Sequence, residues 1–250
     1  ASPVRLFARR SRAERAEKES GELLRLNRSA MTWFAGYFDH AFPFAKYDLV
    51  LVPELAYGGM EHAGATFLRE EAVLFPFEPG ASDLLRRSGL LLHETSHQWF
   101  GDLVTMRWWD DLWLNESFAT FVSYLCLTEG SDYPGAWRQF NVQLKRWALV
   151  EDDAPTTHPI AGTVADTDQT FLNFDGITYG KGGAVLKQLA ARLGRAGFSA
   201  GLRLHFQRHA FGNATLADFV ASLQEGSGVD LRSWTEQWLQ TSGPSRIAVR

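Results

Sequence analysis

The chain has 250 residues, 45% of them hydrophobic and 22% charged, with nine tryptophans, so it carries enough apolar surface for a sizeable core and is not a disordered chain. Its formal net charge of −4 gives no basic face for nucleic acid. Cys126 is the only cysteine, which excludes an intrachain disulfide and a cysteine-rich metal site. A lone cysteine fits a reducing compartment. No apolar run approaches the length of a membrane span, and the N-terminus has no apolar secretory region. A cytoplasmic protein with neither membrane nor nucleic-acid partners is therefore expected.

Residues 9–28 are dense in Arg and Glu and lead into Leu23, Leu26, Ala30, Met31, Phe34 and Phe38 at helical spacing. This predicts an amphipathic surface helix, with Pro43 breaking the pattern. Residues 47–53 read as a buried strand, and Gly58-Gly59 as a turn or a close backbone approach. Residues 65–69 and 72–77 read as further strands paired with the first. From Ser82 the texture becomes helical, with Ser82 or Asp83 as cap, an end near Phe100 and Gly101 just beyond. A second helix is expected from Asn115 to Gly130. More are expected near residues 135–150, 179–193, 199–210, 216–225 and 231–239, with 152–175 as a long loop. Strands followed by helices predict an α+β fold, a small mixed sheet before a mainly helical part.

His93-Glu94-Thr95-Ser96-His97 is an H-E-x-x-H motif. On a helix, positions i and i+4 share one face, so both imidazoles can bind one metal ion. Glu94 points differently and can reach a water on that ion without ligating it, as a general base requires. Glu116, 19 positions after His97, is the candidate third ligand. Two histidines and one carboxylate suit one catalytic Zn²⁺ with an open position. His205 and His209 also stand four apart, but no Glu lies between them, and they read as surface residues.

Four blocks together resemble the M1 family of zinc aminopeptidases, the gluzincins, from about Pro3 to Gly243. Gly58-Gly59-Met60-Glu61-His62 resembles the family's G-x-M-E-N exopeptidase motif. His93 to His97 with Glu116 matches its H-E-x-x-H-x18-E, followed by Trp99-Phe100-Gly101. Leu114-Asn115-Glu116-Ser117-Phe118-Ala119 matches the block around the third ligand, and Ile177-Thr178-Tyr179-Gly180-Lys181-Gly182 the block of the catalytic tyrosine. The resemblance implies a thermolysin-like zinc metallopeptidase domain over residues 1–250. In it, 1–10 would be the tail of a preceding β-domain, 11–81 a helix plus sheet with the exopeptidase motif, and 82–250 the helical zinc-binding subdomain.

By the same resemblance, Glu61 would bind the substrate's α-amino group, and Gly58 and Gly59 would pair with its backbone. Met60 would line the pocket for the first side chain, and Tyr179 would donate to the oxyanion. His62 stands where the motif usually has Asn. Ser123 stands where relatives often carry an acidic residue, which leaves Asp110 or Asp111 as candidate supports for a ligating histidine. The implied function is a zinc aminopeptidase acting on peptides with a free N-terminus, with flanking domains outside this chain. An endopeptidase or epoxide hydrolase of the same fold, or a zinc protein that binds peptides without cleaving them, are the alternatives.

Overall fold

The computed structural model describes residues 2–245 and Ala248, so both ends of the expected domain, Ala1 and Arg250, lie outside the described residues. It is a mixed α+β chain made of two compact units. One comprises Ala1–Leu103 with Val122–Ala136, the other Val104–Phe121 with Trp137–Arg250. No helix among the described residues is long and apolar enough to cross a membrane.

In the first unit, α1 (Ala13–Phe38) buries Leu23, Leu26, Ala30, Met31, Phe34 and Phe38, the predicted apolar stripe. It ends at Asp39, whose φ of 52° turns the chain left-handed before Pro43 is reached. Strands β1 (Val4–Phe7), β2 (Tyr47–Val52), β3 (Gly59–Met60) and β4 (Ala65–Arg69) form a sheet in the order β1-β2-β4-β3. β1, β2 and β4 run parallel, with Val4 opposite Tyr47 and Asp48 opposite Ala65, and β3 lies antiparallel on the edge, with Gly59 opposite Leu68. Strand β2 buries Tyr47, Asp48, Leu49 and Leu51, which explains its nearly continuous apolar run.

The strand expected over 72–77 is absent. The chain leaves β4 directly into a short helix, α2 (Glu70–Val73). The cause is the buried Glu70 carboxylate, which Arg9 and Arg12 grip from outside at 2.8 and 3.1 Å. Beyond it, Leu74 and Phe75 are buried without strand pairing, and Pro76 has no N–H to offer a ladder.

Helix α3 (Ala81–Ser96) is capped by Gly80 rather than by Ser82 or Asp83, because Asp83, one turn in, accepts the Gly80 N–H at 3.0 Å. It stops at Ser96, short of Phe100, with His97 still in right-handed helical conformation. Arg87, almost wholly buried, ties α3 to α1 through Glu19 and Glu22 at 2.8 and 3.1 Å. Asn27 adds a buried hydrogen bond to Thr95 at 2.8 Å, and the Tyr47 hydroxyl reaches Thr66 at 2.7 Å. An aromatic cluster of Phe34, Phe38, Phe42 and Trp99 fills the space between them.

In the second unit, β5 (Val104–Met106) pairs in parallel with β6 (Gly212–Ala214), a two-stranded ladder that sequence reading missed. Helix α4 (Trp113–Gly130) begins two residues before the expected Asn115, and its first half belongs to this unit. The expected helix at 135–150 is two, α5 (Ala136–Val142) and α6 (Leu144–Asp152). The expected loop over 152–175 contains α7 (Thr167–Leu172), capped by the Asp166 carboxylate on Gln169 N–H at 2.9 Å. Helix α8 (Gly182–His209) is broken at Gly194, with φ of 69°, which separates the two helices expected there. Helix α9 (Leu216–Ser227) starts with a Thr215–Asp218 capping box, and α10 (Arg232–Trp238) follows.

The core here is Trp113, Phe118, Phe198 and Phe219, with α8 and α9 in backbone contact at Gly201 and Gly226. His205 is part of this core, which corrects the surface reading. Its ring packs edge-on against Phe219 at 5.3 Å, and burial pushes its pKa down to about 3, with the neighbouring His209 adding to the shift.

Candidate active site

The end of α3 presents His93 and His97 with their Nε2 atoms 3.1 Å apart and their rings nearly perpendicular. Two nitrogens bound tetrahedrally to one zinc at about 2.0–2.1 Å lie roughly 3.3 Å apart, so the pair fits a shared ion closely. The Nδ1 of His97 lies 2.9 Å from the Phe100 carbonyl. A carbonyl only accepts, so Nδ1 carries the proton and Nε2 is left with its lone pair toward His93. The support expected from Asp110 or Asp111 comes, for His97, from this backbone carbonyl. Asp110 instead accepts the Val164 N–H, and Asp111 accepts Trp113 Nε1 and Leu216 N–H at 3.2 and 2.9 Å.

Glu94 is buried beside His97, and Glu61 joins them, with ligand atoms of Glu61, Glu94 and His97 all within 4.8 Å of one another. The exopeptidase block reaches this group through β3. Gly58 accepts the Arg69 N–H at 2.8 Å, and Met60 pairs with Phe67 across the ladder. A methyl group on Gly59 would overlap the Glu94 carboxylate, so the close approach expected at Gly58-Gly59 is made by Gly59 onto that side chain. The outer edge of β3 pairs with no other strand among the described residues.

Gln98 is a residue that sequence reasoning missed. It is fully buried, accepts the Gly64 N–H at 2.7 Å and donates to the Glu61 carbonyl at 3.3 Å. It thereby fastens the turn after Glu61 to the residue following His97, and only that adjacency hinted at it. His62 is exposed, with its ring against Phe67 at 4.6 Å and its carbonyl accepting the Ala65 N–H at 2.8 Å. Asp102, also missed, has its N–H on the His97 carbonyl at 3.0 Å. Burial pushes its carboxyl up to about 7, against the opposing pull of His97 and with the help of Glu61's charge.

In the second unit, Glu116 sits buried in the first turn of α4, where a carboxylate also favours the helix N-terminus. Its neighbour Ser117 donates to the Thr178 carbonyl at 2.6 Å. Tyr179 follows in a π-turn, Ile177–Lys181, half-buried and stacked toward Trp147 at 6.2 Å. Gly180 and Gly182 let this turn lie against Leu144 and Ser117, where any side chain would collide.

An α+β chain with an H-E-x-x-H helix end, a buried carboxylate in the following helix and a glycine-rich edge strand over the motif's Glu defines a metallopeptidase-like class of protein. A family model described as the peptidase family M1 domain matches residues 23–238, and the chain belongs to that family. It is 45% identical over 245 residues to "Aminopeptidase N" of Streptomyces lividans, a match covering 96% of this chain and 28% of that protein. It is 34% identical over 226 residues to "Leucyl aminopeptidase" of Saccharolobus solfataricus, covering 90% of this chain and 29% of that one. "Tricorn protease-interacting factor F2" of Thermoplasma volcanium is 36% identical over 214 residues, covering 86% and 27%. The chain thus spans under a third of the length of these relatives.

Proposed function

We propose that the chain is the catalytic domain of a zinc aminopeptidase that removes the first residue from peptides with a free N-terminus. The observation that carries this reading is the cluster of Glu61, Glu94 and His97 beneath β3, an amine-binding carboxylate beside a base and a metal ligand. His93, His97 and Glu116 are the proposed ligands of one Zn²⁺, supported by the 3.1 Å approach of the two Nε2 atoms. Zinc, when bound, would polarise the scissile carbonyl and acidify the attacking water.

Glu94 takes the proton of that water and passes it to the leaving amine. Glu61 accepts the substrate's α-ammonium group, and this charge-assisted contact fixes cleavage after the first residue. The open edge of β3, at Gly58 and Gly59, receives the substrate backbone as an added strand. Met60 lines the first side-chain pocket, and the exposed His62 stands at its rim. Tyr179 donates its phenol to the developing oxyanion, a contribution of about 3 kcal/mol. The proposed division of labour keeps residues 11–81 for the exopeptidase motif and 82–250 for zinc, with flanking domains of the longer relatives completing the substrate cleft.

Aminoacyl reporters with free and acetylated N-termini test the reading, alongside metal analysis. Zinc in a one-to-one ratio and cleavage of the free-amine form alone are expected. Equal cleavage of the acetylated form would overturn the exopeptidase assignment.

A further inference from the structure

Tyr179 occupies a π-turn, a rare conformation concentrated at functional sites and dependent on partners outside the turn. Asp175 supplies most of them. Its Oδ1 accepts the N–H groups of Ile177 and Thr178 at 3.0 Å each, and its backbone carbonyl accepts that of Tyr179 at 3.0 Å. Its other oxygen, Oδ2, lies 2.9 Å from His158 Nε2. The Nδ1 of His158 lies 2.7 Å from the Pro159 carbonyl.

Carboxylate and carbonyl oxygens only accept hydrogen bonds, so both ring nitrogens of His158 must donate. The ring is then an imidazolium, and its contact with Asp175 is an ion pair with side chains 24% and 19% exposed. Burial works against that charge, but the bonds to Asp175 and Pro159 outweigh it and raise the His158 pKa. Lys181 is the opposing charge near His158, and it is itself neutralised by Asp152 at 2.8 Å.

We propose that Asp175 and His158 are positioning residues for Tyr179, an ion pair beside the π-turn that fixes where the phenol points. The inference rests on the reading of Tyr179 as oxyanion donor. Asp175 binds two successive N–H groups immediately before Tyr179, and His158 fixes the carboxylate that does so. Ser117 adds a further hold on the turn through the Thr178 carbonyl. A shift of the backbone that carries the phenol then requires breaking these bonds and the charged contact behind them.

A double-variant cycle on a free-amine aminoacyl reporter tests this. Tyr179→Phe is expected to lower kcat about 100-fold. Asp175→Asn keeps the shape but not the charge, and is expected to lower kcat about tenfold with KM changed less than about twofold. In the Tyr179→Phe background the same change should lower kcat by less than about twofold, because the group it positions is gone. His158→Gln keeps a donor toward Asp175 and should stand nearer wild type than His158→Ala. This pair runs the same cycle if Asp175→Asn does not fold. Equal losses in both backgrounds, or an unchanged kcat in Asp175→Asn, overturn the proposal. Full kcat in Tyr179→Phe instead overturns the assignment of Tyr179, and the inference falls with it.

Discussion

In the first unit His93, Glu94 and His97 share one helix, and the 3.6-residue turn alone sets their relative directions. In the second unit Glu116 and Tyr179 stand 63 positions apart, and long-range hydrogen bonds tie their backbones, from Ser117 to Thr178 and from Asp175 to the turn. Backbone periodicity tolerates a change at a neighbouring side chain. A lattice of side-chain-to-backbone bonds does not, since each member has no substitute. The helix end that carries His93, Glu94 and His97 should therefore respond to substitution mainly at those residues themselves, and the turn that carries Tyr179 also at residues that never touch the reaction.

The largest effect is expected at the base. Glu94→Gln should lower kcat about 10³-fold, within the usual range for a general base, with metal content unchanged. An active variant, or one that has lost its metal, would break the separation of base from ligand. Next come two of the glycines at close approaches. Gly59→Ala drives a methyl group into the Glu94 carboxylate and should lower kcat/KM about 100-fold, a typical consequence of misplacement by about 1 Å. Gly182→Ala drives one into Ser117 and should act more weakly, about tenfold, through the Tyr179 turn. Steady-state kinetics with melting curves decides whether the two differ in this order.

The smallest effect is one of pH on stability. A raised pKa means that the folded protein holds the His158 proton more tightly than the unfolded chain. Its contribution is full below the ordinary value of about 6.5 and is lost as pH rises through the folded value. The melting temperature of wild type should thus exceed that of His158→Gln by about 2 °C near pH 6, a gap that shrinks toward pH 9. A gap independent of pH would show the ring to be uncharged.

The same contrast governs what was legible in the sequence. The stripe of α1 and strand β2 follow from local periodicity and stand as read, and the same periodicity brings the rings of His93 and His97 together. Ala72 to Phe77 misled because an apolar run does not reveal that Glu70 is captured by Arg9 and Arg12, more than fifty positions away. His205 misled for a related reason. Its burial depends on Phe219 from another helix, which no window around His205 contains. Tyr179 was singled out by resemblance alone, and Asp175, His158 and Gln98 were not, because their partners are backbone atoms or a side chain 17 positions away, neither of which leaves a local signature.

One proposed ligand, His97, is oriented in a way that side-chain mutation cannot reach directly. The acceptor for His97 Nδ1 is the Phe100 carbonyl, present whatever residue occupies position 100. What sets the direction of that carbonyl is the local path of the chain, and the next residue, Gly101, has a φ of 132°, accessible to almost no other residue type. The acceptor that orients His97 Nδ1 is thus held in part by a position without a side chain. Exchange of the buried Phe100 would disturb its packing on Phe38 but leave the acceptor itself in the chain, whereas a side chain at 101 would strain the path that aims it.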